Sequence, residues 1–231
     1  QPDIRRHEGG AFAELALRGE LYPAALFTRS FAQHIGLVLD FAHHVTMQTR
    51  AEAPATIGGA EANVDGSSLL LAGALRLRLP LGPQRLGPAL VFAEAGLGMR
   101  TFGLGDNAAL PEMSYRFLRF ALGGEIAFLE GLLRFSLSAD IRPFLGVGQE
   151  TVNALGDRDG GLAFAIGGRV GGQLGFGLRY FVGVEFSHYS VSFQGLGGTS
   201  RPPLPGTLER SAPSDASDSY LRVFSGLGYA Y

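Results

Sequence analysis

Three features of the 231-residue sequence predict an all-β chain that folds as a closed antiparallel transmembrane β-barrel. Apolar residues alternate with small or charged ones, at the period of two that places successive side chains on opposite faces of a strand. The charged residues share their face with glycine, alanine and serine, and long and short connections alternate along the chain. No apolar run reaches the roughly 18 residues of a transmembrane helix, so strands are the elements expected to cross a membrane.

The first four alternating segments each set an apolar face against a small or charged one. In residues 68–79, for example, Leu71 and Leu75 oppose Arg76 and Arg78. Each segment has the roughly 9 to 11 residues that cross a bilayer as a tilted strand. The polar or small positions are Glu14 and Arg18 in residues 10–21; Gly36, Asp40 and His44 in residues 35–45; Arg76 and Arg78 in residues 68–79; and Glu94 and Arg100 in residues 89–101.

The last five segments repeat the same alternation. Residues 133–145 show it well, because Leu133, Phe135 and Leu137 alternate with Arg134 and Ser136. The charged positions are Arg119 and Glu125 in residues 115–128; Arg134, Asp140 and Arg142 in residues 133–145; Arg169 in residues 162–174; Arg179 and Glu185 in residues 178–192; and Arg222 in residues 219–231.

The composition of the charged face indicates that the two faces are inverted relative to a water-soluble barrel. A soluble barrel would direct its apolar face inward and cover the other with ordinary polar residues. Glycine, alanine and serine instead leave space in a narrow interior for long arginine and carboxylate side chains that pair with one another. We therefore predict that these charged residues form an interior polar network. This network either holds the barrel closed or lines a narrow channel.

The last segment carries the most specific sequence signal. Leu221, Val223, Leu227, Tyr229 and Tyr231 share one parity, and the chain ends on an aromatic residue. This strand resembles the closing strand of small bacterial outer-membrane β-barrel proteins. In that superfamily the terminal aromatic residue and the alternating apolar positions before it form the signal for the outer-membrane assembly machinery. The resemblance implies a location in the bacterial outer membrane, contact with its lipids, and export with a leader that is then removed.

The connections define one barrel domain over residues 1–231, which begins with a polar segment at residues 1–9. Residues 46–66 and 194–218 are predicted to be long extracellular loops, and they are the candidate contact surfaces for other envelope proteins. Nine strand segments are visible, whereas single-chain bacterial barrels have even strand numbers. Ten strands, with one preceding Gln1, is the preferred count; eight, with residues 10–21 not spanning, is the alternative.

The sequence excludes several classes of function. A net charge of −2 gives no basic surface for nucleic acid, and the lack of cysteine removes thiol chemistry and disulfides. Gly96 and Gly98 lie within a strand pattern and begin no phosphate-binding loop. His43 and His44 near Asp40 are expected at a solvated strand end, so we predict neither metal nor cofactor. The predicted role is non-enzymatic: a structural anchor or partner-binding barrel, or a narrow channel.

One short motif supports an enzymatic alternative. His188 and Ser190 lie two residues apart on one face of a strand, where an imidazole could activate a hydroxyl nucleophile. The pair resembles the His-x-Ser motif of the outer-membrane lipid A deacylases, in which these residues also face lipid. Val191 and Ser192 stand where that family has asparagine and alanine. The resemblance implies a lipid-acting hydrolase as the alternative function.

Overall fold

The computed structural model describes residues 8–9, 13–46, 48–52, 61–81, 89–104, 112–174, 178–194 and 215–229, and they form an all-β antiparallel sheet. Nine long strands follow one another in chain order and curl into a half-barrel, and two short strands extend one side. The strands are β1 Glu8–Gly9, β2 Ala13–Leu21, β3 Ile35–Thr46, β4 Gln48–Glu52, β5 Glu61–Leu81, β6 Ala89–Leu104, β7 Met113–Phe128, β8 Leu133–Val147, β9 Asp157–Gln173, β10 Leu178–Gln194 and β11 Asp215–Tyr229.

Every one of the nine predicted segments is a strand, which confirms the all-β antiparallel class. The strand β2 pairs with β3 from Ala13 to Leu21, so residues 13–21 add a ninth long strand to the sheet. Most strands extend beyond their predicted bounds, and β5 is the longest at 21 residues. The preferred tenth strand was predicted to precede Gln1 and therefore lies outside the described residues.

Part of the predicted loop at residues 46–66 is strand in the described residues. Gln48–Glu52 pairs with residues 61–65 of β5, so these residues form a hairpin that continues the sheet. Similarly, Glu8–Gly9 pairs with β4, at the end of the polar segment predicted for residues 1–9. The sequences of both segments lack the apolar alternation that marks a half-buried strand, and each segment pairs with a neighbouring strand.

The two ends of the sheet differ in their connections. At the end that we call the lower end, 3₁₀ helices Pro23–Leu26 and Phe31–His34 join β2 to β3, and Leu129–Gly131 joins β7 to β8. At the opposite, upper end, helix α1, Gln149–Leu155, joins β8 to β9. Within the predicted loop at residues 194–218, residues 215–218 belong to β11, and residues 195–214 lie outside the described residues.

The two faces of the sheet have opposite polarity. On the outer face, each of the nine long strands exposes at least two large apolar side chains, among them Leu122 at 69% and Leu137 at 71%. On the inner face, Arg76, Glu94 and Arg142 are buried. Contacts between distant strands across the concave side bury the charged side chains, while the leucines of the outer face are covered by no other part of the described chain.

Candidate functional site

The densest part of the inner face is an ion-pair network centred on Glu94 of β6. Its side chain is 1% exposed and contacts three guanidinium groups. Arg18 Nη2 lies 3.0 Å and Arg76 Nε 2.7 Å from Glu94 Oε1, and Arg119 Nη2 lies 3.1 Å from Glu94 Oε2. Arg76 and Glu94 are direct cross-strand neighbours, whereas Arg18 reaches Glu94 from β2 across the concave side. The network thus connects strands that do not pair with one another.

A second branch of the network continues from Arg119 across the strands β8, β10 and β11. Arg119 Nε lies 3.2 Å from Asp140 Oδ2, and Arg142 Nε lies 2.7 Å from Asp140 Oδ1. Glu185 then connects Arg142, at 3.8 Å, with Arg222, at 3.2 Å. Because Glu185 and Arg222 are direct cross-strand neighbours, the register of β10 and β11 fixes this last pair.

The network also spans the two edges of the curled sheet. Arg222 Nη1 of β11 lies 4.0 Å from Glu14 Oε1 of β2, although these two strands share no hydrogen-bonded pairing among the described residues. On β2, Arg18 Nη1 also lies 3.0 Å from Asp40 Oδ1, its cross-strand neighbour. Asp40 in turn contacts Arg119. A charged contact thus joins the two edge strands in the described part of the chain.

Glu20 is a member of the network that our predicted interior set omits. Glu20 Oε1 accepts hydrogen bonds from Arg18 Nε at 3.1 Å and from Arg76 Nη1 at 2.9 Å. Glu20 lies at an even position of β2, like Glu14 and Arg18, and this alternation could have placed it on the inner face. With Glu20, the network contains five arginines and six carboxylates: Arg18, Arg76, Arg119, Arg142, Arg222, Glu14, Glu20, Asp40, Glu94, Asp140 and Glu185.

Above the network, towards the upper end, an aromatic cluster fills the inner face. The rings of Tyr115, Phe144 and Tyr189 stack, with centroids 5.1 to 6.1 Å apart. Tyr115 donates a hydrogen bond to Asp218, and Arg142 Nη1 donates one of 2.6 Å to the Tyr189 hydroxyl. These bonds satisfy the buried hydroxyl groups, which is the usual requirement for tyrosine in a core.

Arg100 and helix α1 complete this aromatic cluster. The Arg100 guanidinium carbon lies 3.9 Å from the ring centroid of Tyr220, and Arg100 Nη2 lies 3.4 Å from Ser68 Oγ. Leu155 of α1 packs against the cluster. Thr151 anchors the helix by donating a 2.7 Å hydrogen bond to the Glu112 carbonyl. Arg100 is thus held by an aromatic face and a hydroxyl, and no ion pair joins it to a carboxylate among the described residues.

Little space is left in the middle of the inner face. Between the two branches of the network, a cavity of about 60 Å³ is lined by Arg119, Arg142, Arg169 and Phe224, among others. A cavity of this size holds only a few water molecules, since one water needs about 10–15 Å³ of such volume. Side chains therefore leave little space between the two branches, whereas a larger cavity of about 210 Å³ lies beside Arg78 at the lower end.

The other predicted interior residues lie towards the lower end. Arg134 Nη1 lies 2.6 Å from Glu125 Oε1. The Arg78 guanidinium stacks over the ring of Tyr22, 3.7 Å from its centroid. Burial raises the pKa of the Tyr22 hydroxyl, so this ring is neutral at pH 7. Arg179 is exposed at the start of β10.

His188 and Ser190 face outward, as predicted, but His188 contacts a different serine. His188 Nδ1 lies 2.8 Å from Ser219 Oγ of the neighbouring strand β11. Ser190 is directly opposite Ser217 in the sheet, and no hydrogen bond joins it to His188 among the described residues. The cross-strand pairing, which a single segment of sequence does not reveal, explains why Ser219 was missed.

The residues of the terminal signal are only partly described. Leu221 and Val223 are exposed on the outer face. Leu227 and Tyr229 belong to β11, where they pair with Tyr180 and Leu178, whereas residue 231 lies outside the described residues. No group of three potential metal-binding side chains occurs in the described part of the chain. At the strand end that carries His43 and His44, His44 Nδ1 accepts a 2.9 Å hydrogen bond from the Ser68 amide.

Comparison with models of known protein families, with curated proteins and with solved structures found no match. Among the described residues, no helix combines the length and apolar character needed to cross a membrane. Functional inference for this chain therefore depends on the geometry of its two faces and on its sequence patterns.

Proposed function

We propose that the chain is an integral β-barrel of the bacterial outer membrane, with its strands crossing the bilayer and its leucine-bearing face in lipid. The observation that supports this proposal most is the polarity of the two faces. Arg142 is 3% exposed, whereas every long strand exposes large apolar side chains, Leu137 of β8 among them. In the proposed barrel the edge strands β2 and β11 close where Arg222 approaches Glu14.

The magnitude of the exposed apolar surface favours lipid over water as its environment. Monomeric soluble proteins rarely expose a contiguous apolar patch of more than a few hundred Å². Removing one large apolar side chain from water is worth about 1.5–3 kcal/mol, so ten of them outweigh the roughly 5–15 kcal/mol by which a domain is stable. Thirty-six such side chains are exposed among the described residues. A hydrocarbon environment removes this cost.

The proposed role is that of a structural anchor and partner-binding barrel, without an open pore. The ion-pair network and the aromatic cluster occupy much of the concave side, and the cavity between the two branches of the network is only about 60 Å³. The proposed partners are outer-membrane lipids, the outer-membrane assembly machinery at the terminal strand, and other envelope proteins at the extracellular loops. The near balance of bases and acids in the network gives no support for an anion-selective path.

The experiment that tests this proposal combines membrane association with conductance. The refolded chain is mixed with lipid vesicles, floated on a density gradient and extracted at alkaline pH. We expect the chain to remain with the vesicles and to give no conductance steps in a planar bilayer. Release from the vesicles would contradict membrane insertion, and reproducible conductance steps would contradict the closed interior.

The contact between His188 and Ser219 supports a lipid-acting hydrolase as a second candidate. An imidazole 2.8 Å from a hydroxyl is placed to act as its general base, and both side chains lie on the proposed lipid face. The pair predicted from the sequence, His188 with Ser190 as the nucleophile, is kept as a second possibility within this candidate. To separate the hydrolase from the non-enzymatic barrel, purified lipid A and phospholipid are incubated with the wild-type chain, with Ser219→Ala and with Ser190→Ala. The lipid profiles are then compared. Unchanged lipid profiles with the wild-type chain would rule out the hydrolase.

A further inference from the structure

The connection between β2 and β3, residues 22–34, exposes several large apolar side chains at the lower end of the sheet. Leu26 is 69%, Phe27 87% and Phe31 60% exposed. A single exposed apolar residue is ordinary on a protein surface, but three in one short connection are of the kind that marks an interaction surface. The connection is therefore a candidate for contact with an apolar partner.

Hydrogen bonds within the connection hold its two 3₁₀ helices, Pro23–Leu26 and Phe31–His34. The bonds are Ala25 N to Tyr22 O, Phe27 N and Thr28 N to Ala24 O, Gln33 N to Ser30 O, Ser30 N to Thr28 Oγ1, and Gln33 Nε2 to Arg29 O, at 2.9 to 3.2 Å. Backbone groups that enter a lipid environment must find their partners within the protein, whereas water supplies partners to a loop that stays outside. This internal bonding therefore fits a connection at the edge of lipid.

Both ends of the connection adjoin the apolar outer face of the sheet. Leu21, the last residue of β2, is 57% exposed, and Ile35, the first residue of β3, is 42% exposed. Tyr22 anchors the start of the connection to β5, because its ring centroid lies 3.7 Å from the guanidinium carbon of Arg78. The exposed apolar surface of the strands thus continues into residues 22–34.

The charge of the connection also fits a lipid surface. Residues 22–34 contain one arginine and no acidic residue. Arg29 is exposed and lies between Phe27 and Phe31 in the sequence. Large apolar side chains next to an arginine are typical of segments that lie in a membrane interface, where acyl chains contact the apolar groups and lipid phosphates the cation. A phospholipid surface matches both parts of the connection, whereas water matches only the arginine.

We propose that residues 22–34 lie in the membrane interface at the lower end of the barrel. Leu26, Phe27 and Phe31 contact the acyl chains of the lower leaflet, and Arg29 contacts the lipid phosphates. This inference rests on the proposed membrane location of the barrel and adds a lipid contact outside the strands. The connection then helps to fix the depth at which the lower end of the barrel sits in the bilayer.

The test uses the absence of tryptophan from the chain. Phe27→Trp introduces a single fluorophore into the refolded full-length chain, and because Phe27 is 87% exposed this change leaves folding intact. In phosphatidylcholine vesicles we expect its emission to shift to shorter wavelength than that of the same variant unfolded in urea. We also expect a larger loss of intensity with lipids brominated near the headgroup end of their acyl chains than with lipids brominated near the chain ends. Phe31→Trp is expected to give the same result.

Two further single-tryptophan variants separate a failure of this inference from a failure of the proposed function. Leu122→Trp lies near the middle of β7 on the outer face, so lipids brominated near the chain ends are expected to quench it most. Gln149→Trp lies at an exposed position of α1 at the upper end, so acrylamide is expected to quench it and brominated lipids are not.

The comparison of these variants has two contradicting outcomes. If brominated lipids quench Leu122→Trp while Phe27→Trp and Phe31→Trp respond like Gln149→Trp, the connection lies in water or against a protein partner. The inference about residues 22–34 is then wrong, and the membrane location stands. If Leu122→Trp also responds like Gln149→Trp, the membrane location is wrong and the inference is overturned with it.

Discussion

Replacing Glu94 with glutamine is expected to destabilise the protein by about 3–5 kcal/mol, the range observed when one partner of a buried ion pair is removed. The Glu94 carboxylate contacts Arg18, Arg76 and Arg119, and its side chain is 1% exposed. Glutamine keeps the shape but not the charge, so three guanidinium groups lose their common counter-charge away from water. The free energy of unfolding is measured by urea titration of the refolded chain in detergent.

The matched control for this substitution is Glu125→Gln. Glu125 and Arg134 form a single ion pair in which each side chain is about one quarter exposed. Water screens such a pair, so its loss is expected to cost less than about 1 kcal/mol. A Glu94→Gln variant as stable as Glu125→Gln would show that the network contributes little to folding. The structural account of the interior would then be wrong.

Replacing Leu122 with arginine is expected to cost roughly 2–4 kcal/mol in a lipid bilayer, the penalty for a cation at the midplane of a β-barrel. Leu122 lies near the middle of β7 and is 69% exposed on the outer face. If that face met water instead, an exposed arginine would change stability by no more than about 0.5 kcal/mol. The free energy of unfolding from phosphatidylcholine vesicles is the quantity to measure.

The control for this second substitution is Leu129→Arg. Leu129 is 72% exposed, nearly the same as Leu122, but it lies in the turn at the lower end of the sheet. At the proposed membrane boundary an arginine costs roughly 0–1 kcal/mol. A difference between the two variants reports depth in a bilayer, because their exposure is matched. Equal effects would contradict the proposed membrane location.

The sequence predicts the strands and their faces because both depend on a local period of two. The leucine and arginine parities of residues 133–145, for example, occupy opposite faces of β8 as expected. Residues 48–52 were missed because their sequence shows no alternation of apolar and polar residues, and only their pairing with β5 identifies the strand. Helix α1 was also missed. Its seven residues carry too little periodic signal, and its order comes from packing on the aromatic cluster.

The partners of the site residues could be predicted less well than their positions. Parity places Arg18, Glu94 and Arg142 on the inner face, but which carboxylate meets which arginine depends on how far the sheet curls. The aromatic cluster was missed for a related reason. Tyr115 and Tyr189 share the inward parity on their strands, but only the fold brings them together at the upper end. Contacts across the concave side are tertiary and leave no local pattern.

A spin-label scan of β8 shows directly whether the arginine-bearing face lies inside and the leucine-bearing face lies in lipid. The chain has no cysteine, so single cysteines at successive positions from 133 to 141 can each carry one nitroxide label. In lipid vesicles the account predicts high collision rates with oxygen at Phe135, Leu137 and Ile141. It predicts low rates with both oxygen and a water-soluble nickel complex at Ser136 and Asp140. Strong collisions of the nickel complex with the labels at the leucine-bearing positions would contradict it.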